Sequence, residues 1–531
     1  MQIRYYLILI LLLFSLVWNL GIFPLYLEEP RRAVVALEML LTGNFIVPTI
    51  MGELYFAKPP LFNWILILSA KLLNGFSELA VRLPTVVSVL FIGLFHYLIS
   101  SNFLDKRIAF FSSLLFITSG TILFYFSLLG EIDIFYSFIT YLSIVSIFWF
   151  FYKNQRLISV FPFVFASAGF LTKGFPSILF LYITLISFLF FERKLKLLFS
   201  IWHFIGIIIF LTTVGSYLYL YNQYAPVEDY LRFLWKESSQ RTVMENPTFD
   251  FFFHIVNFPL KSLIALFPWS FLVIFLFRKE LFSVFKDNRF LRFSMIAFVF
   301  NYSVYWISPG ANQRYIYMLF PFLITLFVYM YFYSDSSFKR KLIKFVYFFL
   351  LIGLSGISFA LLVIRYTRDV EYISFISLIF GLLFLVLAFR VWKKPIYYMA
   401  IGLIWFRILF DIVYLPIKAV SGNSFLEKKY GIVVADITKD NKLFYFGKDR
   451  LSYGLLFYIE REREDILKRD LRLEYCSFYL AKREFLDFKV LEILRFKTKD
   501  EYILFKKISN PSSYNPIKST FPKVEASHGN I

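Results

Sequence analysis

The chain reads GEIDIFYSFITYLSIVSIFWFFY over residues 130–152, and its only charged residues there are Glu131 and Asp133 near the start. About 20 consecutive apolar residues are enough to cross a bilayer as a single helix. An unpaired charge inside such a helix is costly, so Asp133 requires a partner from another part of the chain. This stretch therefore predicts a membrane-spanning helix with a polar site at its beginning.

The composition of the whole chain agrees with a membrane protein. Of its 531 residues 59% are hydrophobic and 17% are charged, whereas soluble domains carry about 25% charged residues. This excludes an ordinary soluble protein and a disordered chain. The single cysteine, Cys476, excludes an intramolecular disulfide and a cysteine-based zinc site. We interpret the net charge of +20 as anchoring charge and a site for anionic groups, because no nucleic-acid-binding motif appears.

Applied along the chain, the same length criterion predicts thirteen membrane-spanning helices, including a retained first helix rather than a cleaved signal peptide. With a cytoplasmic N-terminus, the six inside loops hold 17 Lys or Arg against five Asp or Glu. This is the positive-inside pattern, and an odd number of spans then places the C-terminus outside. The predicted spans are residues 4–24, 80–99, 107–127, 132–152, 156–172, 176–192, 199–221, 258–278, 290–308, 313–333, 342–364, 372–390 and 396–416.

Three segments are predicted to lie on the outer face of the membrane. Residues 25–79 form a loop too long for a simple connection, and a second long loop covers residues 222–257. Residues 1–417 are predicted to be the membrane domain, and the more polar residues 418–531 a small soluble α/β domain. Within these outer segments the predicted helices are 30–41, 61–73 and 460–471, and the predicted strands are 442–446, 454–459 and 502–508.

The first outer loop carries the earliest candidates for chemistry. Glu28 and Glu29 precede Pro30 where a predicted helix begins, so they suit either a helix cap or catalytic carboxylates. Lys58 precedes two prolines that fix the local backbone. A lysine held in this way at the membrane surface suits a phosphate ligand, and a lysine that snorkels to lipid headgroups is the equal alternative.

Further charged residues follow in other outer turns. Each basic residue alone suits an interfacial anchor, but together with Asp133 they indicate one outward-facing cleft with a carboxylate and several phosphate-binding cations. Such a cleft suits displacement of a phosphate from a sugar carbon. No Walker loop or dinucleotide fingerprint appears, which favours a donor delivered by a lipid over a nucleotide sugar. The basic candidates and the neighbouring tyrosine are Arg82, Lys173, Arg241, Arg314 and Tyr315.

Several short motifs that contain these residues, within roughly residues 1–330, resemble those of a known family. The motifs are similar to those of bacterial membrane glycosyltransferases, namely the aminoarabinose transferases of lipid A and their relatives in the protein O-mannosyltransferase superfamily. They are Glu28-Glu29-Pro30-Arg31, Gly52-Glu53, Lys58-Pro59-Pro60-Leu61, Arg82-Leu83-Pro84, Thr172-Lys173-Gly174 and Arg314-Tyr315 with Pro321.

The resemblance implies a GT-C fold and an inverting transfer of a sugar from polyprenyl phosphate to a periplasmic acceptor. The expected location is the bacterial inner membrane, and the expected acceptor is lipid A or another glycolipid. Glu28 takes the place of the family's first acid with Glu29 as its neighbour, and Asp133 matches the second acid. The positions that match lipid-phosphate ligands of the family are Lys58, Arg241 and Tyr315.

Two departures from the family pattern bear on the chemistry. Glu28 is one methylene longer than the usual aspartate, which moves its carboxylate by about 1 Å. Ala57 stands where relatives carry an acid that helps to hold a metal. The sequence therefore requires no cofactor and argues against a divalent metal at this position.

Three alternatives to a glycolipid glycosyltransferase are open at this stage. A protein O-glycosyltransferase needs the same donor site with a different acceptor. A transporter that flips lipid-linked sugars also needs a cleft with phosphate-binding cations, but transporters commonly show inverted repeats, and none is found here. A catalytically silent relative that acts as a scaffold through residues 418–531 is the third.

Overall fold

The structure is a computed structural model that describes residues 2–239, 247–277, 285–286, 288–363, 371–473, 477–483 and 491–506. Within these ranges seven helices are long and apolar enough to cross a membrane, or nine if each of two bent helix pairs forms one span. The bent pairs are Lys106–Ile117 with Gly120–Leu128 and Phe251–Ala265 with Trp269–Leu276, and four further apolar helices are shorter. Each of the thirteen predicted segments overlaps a helical segment, but the number that cross the bilayer remains a prediction.

Helices account for most of the described chain and are numbered here in chain order. The first helix is shorter than predicted, because the chain turns at Asn19, which has a φ of 57°. The helices are α1 (Gln2–Val17), α2 (Glu29–Thr42), α3 (Leu61–Leu72), α4 (Glu78–Ser100), α5 (Lys106–Ile117), α6 (Gly120–Phe124), α7 (Ile132–Lys153), α8 (Val160–Lys173), α9 (Pro176–Phe191), α10 (Ile201–Asn222), α11 (Val227–Ser239), α12 (Pro247–Ala265), α13 (Arg289–Trp306), α14 (Phe320–Phe332), α15 (Ser337–Ala360), α16 (Glu371–Val391), α17 (Pro395–Ala419), α18 (Gly422–Thr438) and α19 (Tyr453–Arg463).

Helix α7 lies at the centre of the membrane helices. Its apolar window is 83% buried, compared with 22% for α10, which is peripheral. It packs against α4, α8 and α9. The break between α8 and α9 falls at Gly174, whose φ of 80° strongly favours glycine. Because α7 is enclosed by other helices, the acids at its start are surrounded by protein.

The first outer loop is an ordered part of the fold and contains the two predicted helices, α2 and α3. Between them a short antiparallel hairpin pairs β1 (Thr49–Ile50) with β2 (Glu53–Leu54). This loop shares one hydrophobic core with the C-terminal segment, in which Val34, Phe62 and Leu455 are all buried. Residues 25–79 and the C-terminal segment therefore pack as a single layer over the beginning of α7.

The C-terminal segment combines α18 and α19 with a five-stranded sheet. The strands are β3 (Leu443–Tyr445), β4 (Lys468–Arg469), β5 (Phe478–Lys482), β6 (Leu491–Lys497) and β7 (Glu501–Lys506), in the order β4-β3-β5-β7-β6. β3 pairs in parallel with β4 and β5, and β7 pairs antiparallel with β5 and β6. The polar outer segment thus has mixed α and β structure from residue 422 to residue 506.

Two predictions in this segment were wrong. The predicted strand at 454–459 is part of helix α19, and the predicted helix at 460–471 ends at Arg463 and is followed by strand β4. Every residue from Gly454 to Glu460 is buried, so this part of the helix has no polar face. The sequence therefore lacks the alternation of polar and apolar residues that indicates a helix. A short apolar run that is buried on all sides does not distinguish a strand from a helix.

A pair of buried carboxyl groups joins the first loop to α19. Glu38 on α2 accepts hydrogen bonds from Thr49 Oγ1 at 2.7 Å and from the backbone N–H of Gly52 at 3.1 Å. Glu460 on α19 accepts from the N–H of Leu467 at 3.1 Å and lies close to the carboxyl group of Glu38. Burial, and then the neighbouring carboxyl group of Glu38, raises the pKa of Glu460 well above its usual range. Burial and the neighbouring carboxyl group thus favour the protonated form of Glu460.

This pair predicts that the folded state loses stability as the pH rises. A raised folded-state pKa means that the stabilisation is complete below the pKa of about 4.3 of an unfolded glutamate and is lost as the pH passes the folded-state pKa. The loss reaches about 1.4 kcal/mol per pH unit for one proton. Glu460→Gln is expected to flatten the dependence of the melting temperature on pH above about pH 4.3, the pKa of the unfolded group. The control Glu462→Gln changes an exposed acid of the same helix, and an equal flattening there would contradict the assignment.

Candidate functional site

A buried ion pair fixes the start of the first loop. The guanidinium of Arg82 on α4 donates to both carboxylate oxygens of Glu29, from Nε at 2.8 Å and from Nη2 at 3.0 Å, and both side chains are 0% exposed. Its remaining donors reach the backbone carbonyls of Leu20, Phe23 and Pro24 at 2.8–3.0 Å. Arg82 and Glu29, both predicted as site residues, thus point into the protein and bind each other.

The same pair positions the turn that leads into α7. Glu29 Oε1 accepts a hydrogen bond from the N–H of Gly130 at 2.6 Å, and Thr85 on α4 accepts from the N–H of Glu131 at 3.1 Å. A side chain at residue 130 would lie 2.7 Å from the carbonyl oxygen of Val81. Glycine therefore permits the close approach of this turn to α4, which sets the position of the two acids that follow.

Asp133 is the centre of the cluster that the sequence predicted. Its carboxylate forms an ion pair with Lys173 at the end of α8, and its Oδ2 lies 3.6 Å from Nε of Arg314. Tyr315 faces the same group, because the ammonium of Lys173 lies 4.9 Å from the centre of its ring. Four residues from three separate parts of the chain thus meet at the start of α7.

Arg32 is a further buried cation, and it lies near the acids of this cluster. Its Nη1 donates to the hydroxyl of Tyr55 at 2.9 Å. Burial alone lowers the pKa of Arg32, but Tyr55 and the acids Glu131, Glu28 and Asp133 outweigh burial and raise it. Three acids from two outer turns thus lie close enough to the Arg32 guanidinium to stabilise its positive charge.

Glu28 and Glu131 differ in their surroundings. Glu28 is 41% exposed and forms an ion pair with Arg31, one turn further along α2. Glu131 is buried, and burial followed by the nearby charge of Asp133 raises the pKa of its carboxyl group. A carboxyl group with a raised pKa is suited to exchange protons near neutral pH.

Lys58 lies nearby and is paired with an acid from the second outer loop. It is 9% exposed, and its ammonium forms an ion pair with Glu237 on α11. Burial lowers the pKa of Lys58, Glu237 opposes this effect and the cations Arg32 and Lys173 add to it, so that the resulting pKa is about 7. An additional anion beside Lys58 would stabilise its charged form, so this position suits a phosphate group.

A cavity of about 360 Å³ opens beside the cluster. It lies between α6, α12 and residues 312–317, and both Arg314 and Lys261 line it. Arg314 therefore connects the buried Asp133 to an open space that holds a second cation. The predicted ligand Arg241 lies outside the described residues.

The position at which the resemblance implies a metal-holding acid does not fit a metal here. Ala57 has no ligand atom, and its neighbour Lys58 is a cation. Across the described ranges, no group of three or more His, Cys, Asp or Glu side chains is arranged to hold a metal ion. The carboxylate of Asp133 is neutralised by side-chain cations, namely Lys173, Arg314 and Arg32, rather than by a metal ion.

The structure adds several residues that were not predicted as site residues. Arg32 follows the motif that ends at Arg31, Tyr55 lies between the Gly52-Glu53 and Lys58 motifs, and Glu131 stands two residues before Asp133. Their proximity to these motifs in the sequence was the available signal. Glu237 and Lys261 lie on amphipathic or apolar helices without a motif, and nothing in the sequence marks them. Their role depends on how α11 and α12 pack beside the first loop and α6.

The fold matches solved structures over nearly the whole chain. Alignment with ArnT from Cupriavidus metallidurans bound to undecaprenyl phosphate gives a TM-score of 0.74 and covers 95% of this chain and 98% of that chain. The apo state of the same protein gives a TM-score of 0.71. Sequence identity to both is 15%, so this similarity establishes the fold.

Sequence relatives point in the same direction. A family model described as dolichyl-phosphate-mannose-protein mannosyltransferase matches residues 57–219. An uncharacterized protein of Aquifex aeolicus is 23% identical over 95% of this chain and 96% of its own length. The undecaprenyl phosphate-alpha-4-amino-4-deoxy-L-arabinose arabinosyl transferase 1 of Proteus mirabilis is 31% identical over 28% of each chain. Transferase 2 of the same name from Pseudomonas fluorescens is 27% identical over 57% of this chain and 51% of its own length.

The matches to the named transferases therefore span at most about half of those proteins, whereas the structural alignment spans nearly all of ArnT. The matched sequence includes Lys58, Asp133 and Lys173, which the structure brings to one site. The chain is therefore similar to membrane glycosyltransferases in two ways: residues 57–219 match the dolichyl-phosphate-mannose-protein mannosyltransferase family model, and the fold over nearly the whole chain is that of ArnT.

Proposed function

We propose that this protein is an inverting glycosyltransferase that moves a sugar from a polyprenyl-phosphate donor to an acceptor at the outer face of the bacterial inner membrane. The observation that carries the proposal is the cluster at the start of α7, where buried Asp133 pairs with Lys173 and lies beside Arg314. Titratable groups that are buried against specific partners mark candidate functional sites. The names of the relatives, which specify undecaprenyl phosphate and an arabinosyl transfer, support the donor class.

In the proposed reaction an acceptor oxygen forms a bond to the anomeric carbon as the bond from that carbon to the phosphate oxygen breaks. The electron pair leaves with the polyprenyl phosphate, whose charge increases in the transition state. Lys58, Arg314 and Tyr315 are the proposed groups that stabilise this charge, with Arg241 and Lys173 as further cations. Preorganised donors at a developing charge are an effective means of catalysis in a water-poor site.

The acceptor determines what the carboxylates do. If the acceptor is a hydroxyl, a carboxylate takes its proton, and Glu28 is the proposed base because it is the most exposed acid of the site. Glu131 is the proposed second group for proton exchange, because its pKa is raised and it lies deeper. If the acceptor is an ionised phosphate, no proton needs to be removed, and Glu28 orients the acceptor instead.

The proposed acceptor is lipid A or another glycolipid, because the named relatives are aminoarabinose transferases. A glycoprotein acceptor is the second candidate, favoured by the mannosyltransferase family model over residues 57–219. A flippase without chemistry and a silent scaffold do not require three acids that lie close together around the buried Arg32. We place the N-terminus in the cytoplasm and the C-terminus in the periplasm, following the basic inside loops.

The proposal is tested by mass spectrometry of envelope lipids from cells with and without the gene, complemented with wild type or Glu28→Gln. We expect a sugar-sized mass on a glycolipid that depends on the gene and is not restored by Glu28→Gln. The matched control is Glu228→Gln, an exposed acid on α11 of the same outer face, which should restore the product. Full restoration by Glu28→Gln would contradict the role of Glu28, and an unchanged lipid profile would contradict the glycolipid acceptor.

A further inference from the structure

A second basic cavity lies at the opposite end of the membrane helices from Asp133. Helix α4 begins beside the Glu29–Gly130 contact and ends at Ser100, so α5 begins at the far end. There a cavity of about 460 Å³ opens between α1, α5, α14 and the beginning of α17. It is lined by Tyr5, Arg107, Phe111, Tyr331, Phe332, Lys394, Pro395, Ile396 and Tyr397.

The charged side chains that line this cavity are both positive. Arg107 and Lys394 line it, and Arg340 approaches the ring of Tyr331 at 5.9 Å. None of the lining residues is acidic, and neither Arg107 nor Lys394 forms an ion pair with any residue that the structure describes. The guanidinium of Arg107 instead lies 4.4 Å from the centre of the Phe332 ring. Asp105 precedes α5 and caps it by accepting from the backbone N–H of Arg107 at 2.7 Å, so the two side-chain cations of the cavity have no ion pair among the described residues.

The backbone adds to this positive potential. Arg107 stands in the first turn of α5, and Lys394 immediately precedes α17, so both helices point their N-terminal ends towards the cavity. The N-terminal end of a helix carries a partial positive charge. Asp105 already caps α5, whereas no side chain caps α17, so an anion in the cavity would meet two side-chain cations and the uncapped end of α17.

An apolar surface leads away from the cavity along α1. Tyr5 lines the cavity, and the exposed side chains of Tyr6, Ile10 and Leu13 follow along the same helix. Residues spaced by three or four positions share one face of a helix. A molecule with an anionic head and a hydrocarbon tail matches this combination, with its head among the cations and its tail along α1.

We propose that this cavity binds the phosphate headgroup of an anionic phospholipid from the membrane leaflet opposite the catalytic site. Basic pockets between membrane helices on the cytoplasmic side are suited to such headgroups. The predicted topology places this cavity on the cytoplasmic side, where Arg107 and Lys394 belong to basic inside loops. The site is separate from the proposed transfer reaction, because none of the residues lining the cavity belongs to the cluster around Asp133.

The test is native mass spectrometry of the full chain in detergent, titrated with phosphatidylglycerol and, in parallel, with phosphatidylcholine. Each lysine or arginine near an anionic lipid contributes about 1 kcal/mol, so Arg107→Ala with Lys394→Ala is expected to weaken phosphatidylglycerol binding about tenfold or more. Lys341→Ala with Lys344→Ala removes the same charge from the same predicted face without touching the cavity. This control is expected to change binding less than about twofold.

Two further variants keep the test decisive if the double alanine variant does not fold. Arg107→Lys retains the charge and is expected to retain phosphatidylglycerol binding, whereas Lys394→Glu is expected to abolish it. Equal binding of phosphatidylcholine, or equal losses in the cavity and control variants, would overturn the proposal. Displacement of phosphatidylglycerol by millimolar inorganic phosphate would assign the cavity to a free phosphate and would also overturn it.

Discussion

Asp133→Asn is expected to lower the rate of sugar transfer about 10²- to 10³-fold, the range seen when a preorganised charge contact is removed from an active site. Asparagine retains the size of the side chain but not its charge. Lys173 and Arg314 then lose the anion that holds them at the start of α7. Both cations are expected to move away from the position at which they meet the leaving phosphate.

The measurement is transfer of sugar from a polyprenyl-phosphate donor by purified protein, expressed per folded molecule. Asp229→Asn is the control, because Asp229 is an exposed acid on α11 with a loose ion pair of 3.9 Å. Its activity is expected to equal that of the wild type. Wild-type turnover by Asp133→Asn would show that this carboxylate takes no part in the reaction.

A double variant separates the catalytic from the structural effect of Asp133. Removal of one partner of a buried ion pair leaves an uncompensated charge, so Asp133→Asn also destabilises the fold. Asp133→Asn combined with Lys173→Met removes both charges and is expected to recover much of the melting temperature. Transfer is expected to remain low in the double variant, and recovery of both properties together would assign Asp133 a purely structural role.

Arg82→Met is expected to lower the free energy of unfolding by about 3–5 kcal/mol, the usual cost of breaking a buried ion pair. The change leaves Glu29 buried without its partner, and three backbone carbonyls lose their donor. Because Glu29 also holds the N–H of Gly130, the turn before Asp133 is expected to loosen as well. Activity should therefore fall even at temperatures at which the protein remains folded.

Thermal unfolding in detergent measures this effect. Arg292→Met is the matched control, because its ion pair with Glu192 is 2.7 Å long but Arg292 is 30% exposed. A pair that solvent reaches is screened and contributes less than a fully buried one, so the control should shift the melting temperature less. Adding Glu29→Gln to Arg82→Met is expected to recover part of the loss, since it removes the unpaired charge. Equal shifts in Arg82→Met and Arg292→Met would contradict the structural role of the pair.

The two residues of the Glu28-Glu29 motif illustrate what a motif leaves undetermined. The sequence predicted carboxylates at the start of a helix and left capping and catalysis as alternatives. In the structure neither side chain caps α2: Glu28 faces Arg31 and solvent, whereas Glu29 turns inward to Arg82. Adjacent residues on a helix point in different directions, so their surroundings depend on what packs against each face.

The sequence by itself determined the membrane class and the positions of the membrane helical segments, and it offered Asp133, Lys173, Arg314 and Tyr315 as candidates without showing which of them bind one another. These features follow from local properties: hydrophobic length, charge distribution and short motifs. The sequence predicted that Asp133 needs a partner, but it did not identify Lys173 as that partner. The physical basis of this need, the cost of an unpaired charge in an apolar helix, is readable in the sequence, whereas the partner is not.

Tertiary structure alone decided which charged residues bind one another and which remain accessible. In the structure Arg82, a predicted ligand, binds Glu29 instead, and Glu237 lies beside Lys58. The first loop and α19 share one hydrophobic core. These contacts link residues up to several hundred positions apart in the chain. Because the field at a side chain depends on burial and on neighbours from distant segments, no local pattern specifies it.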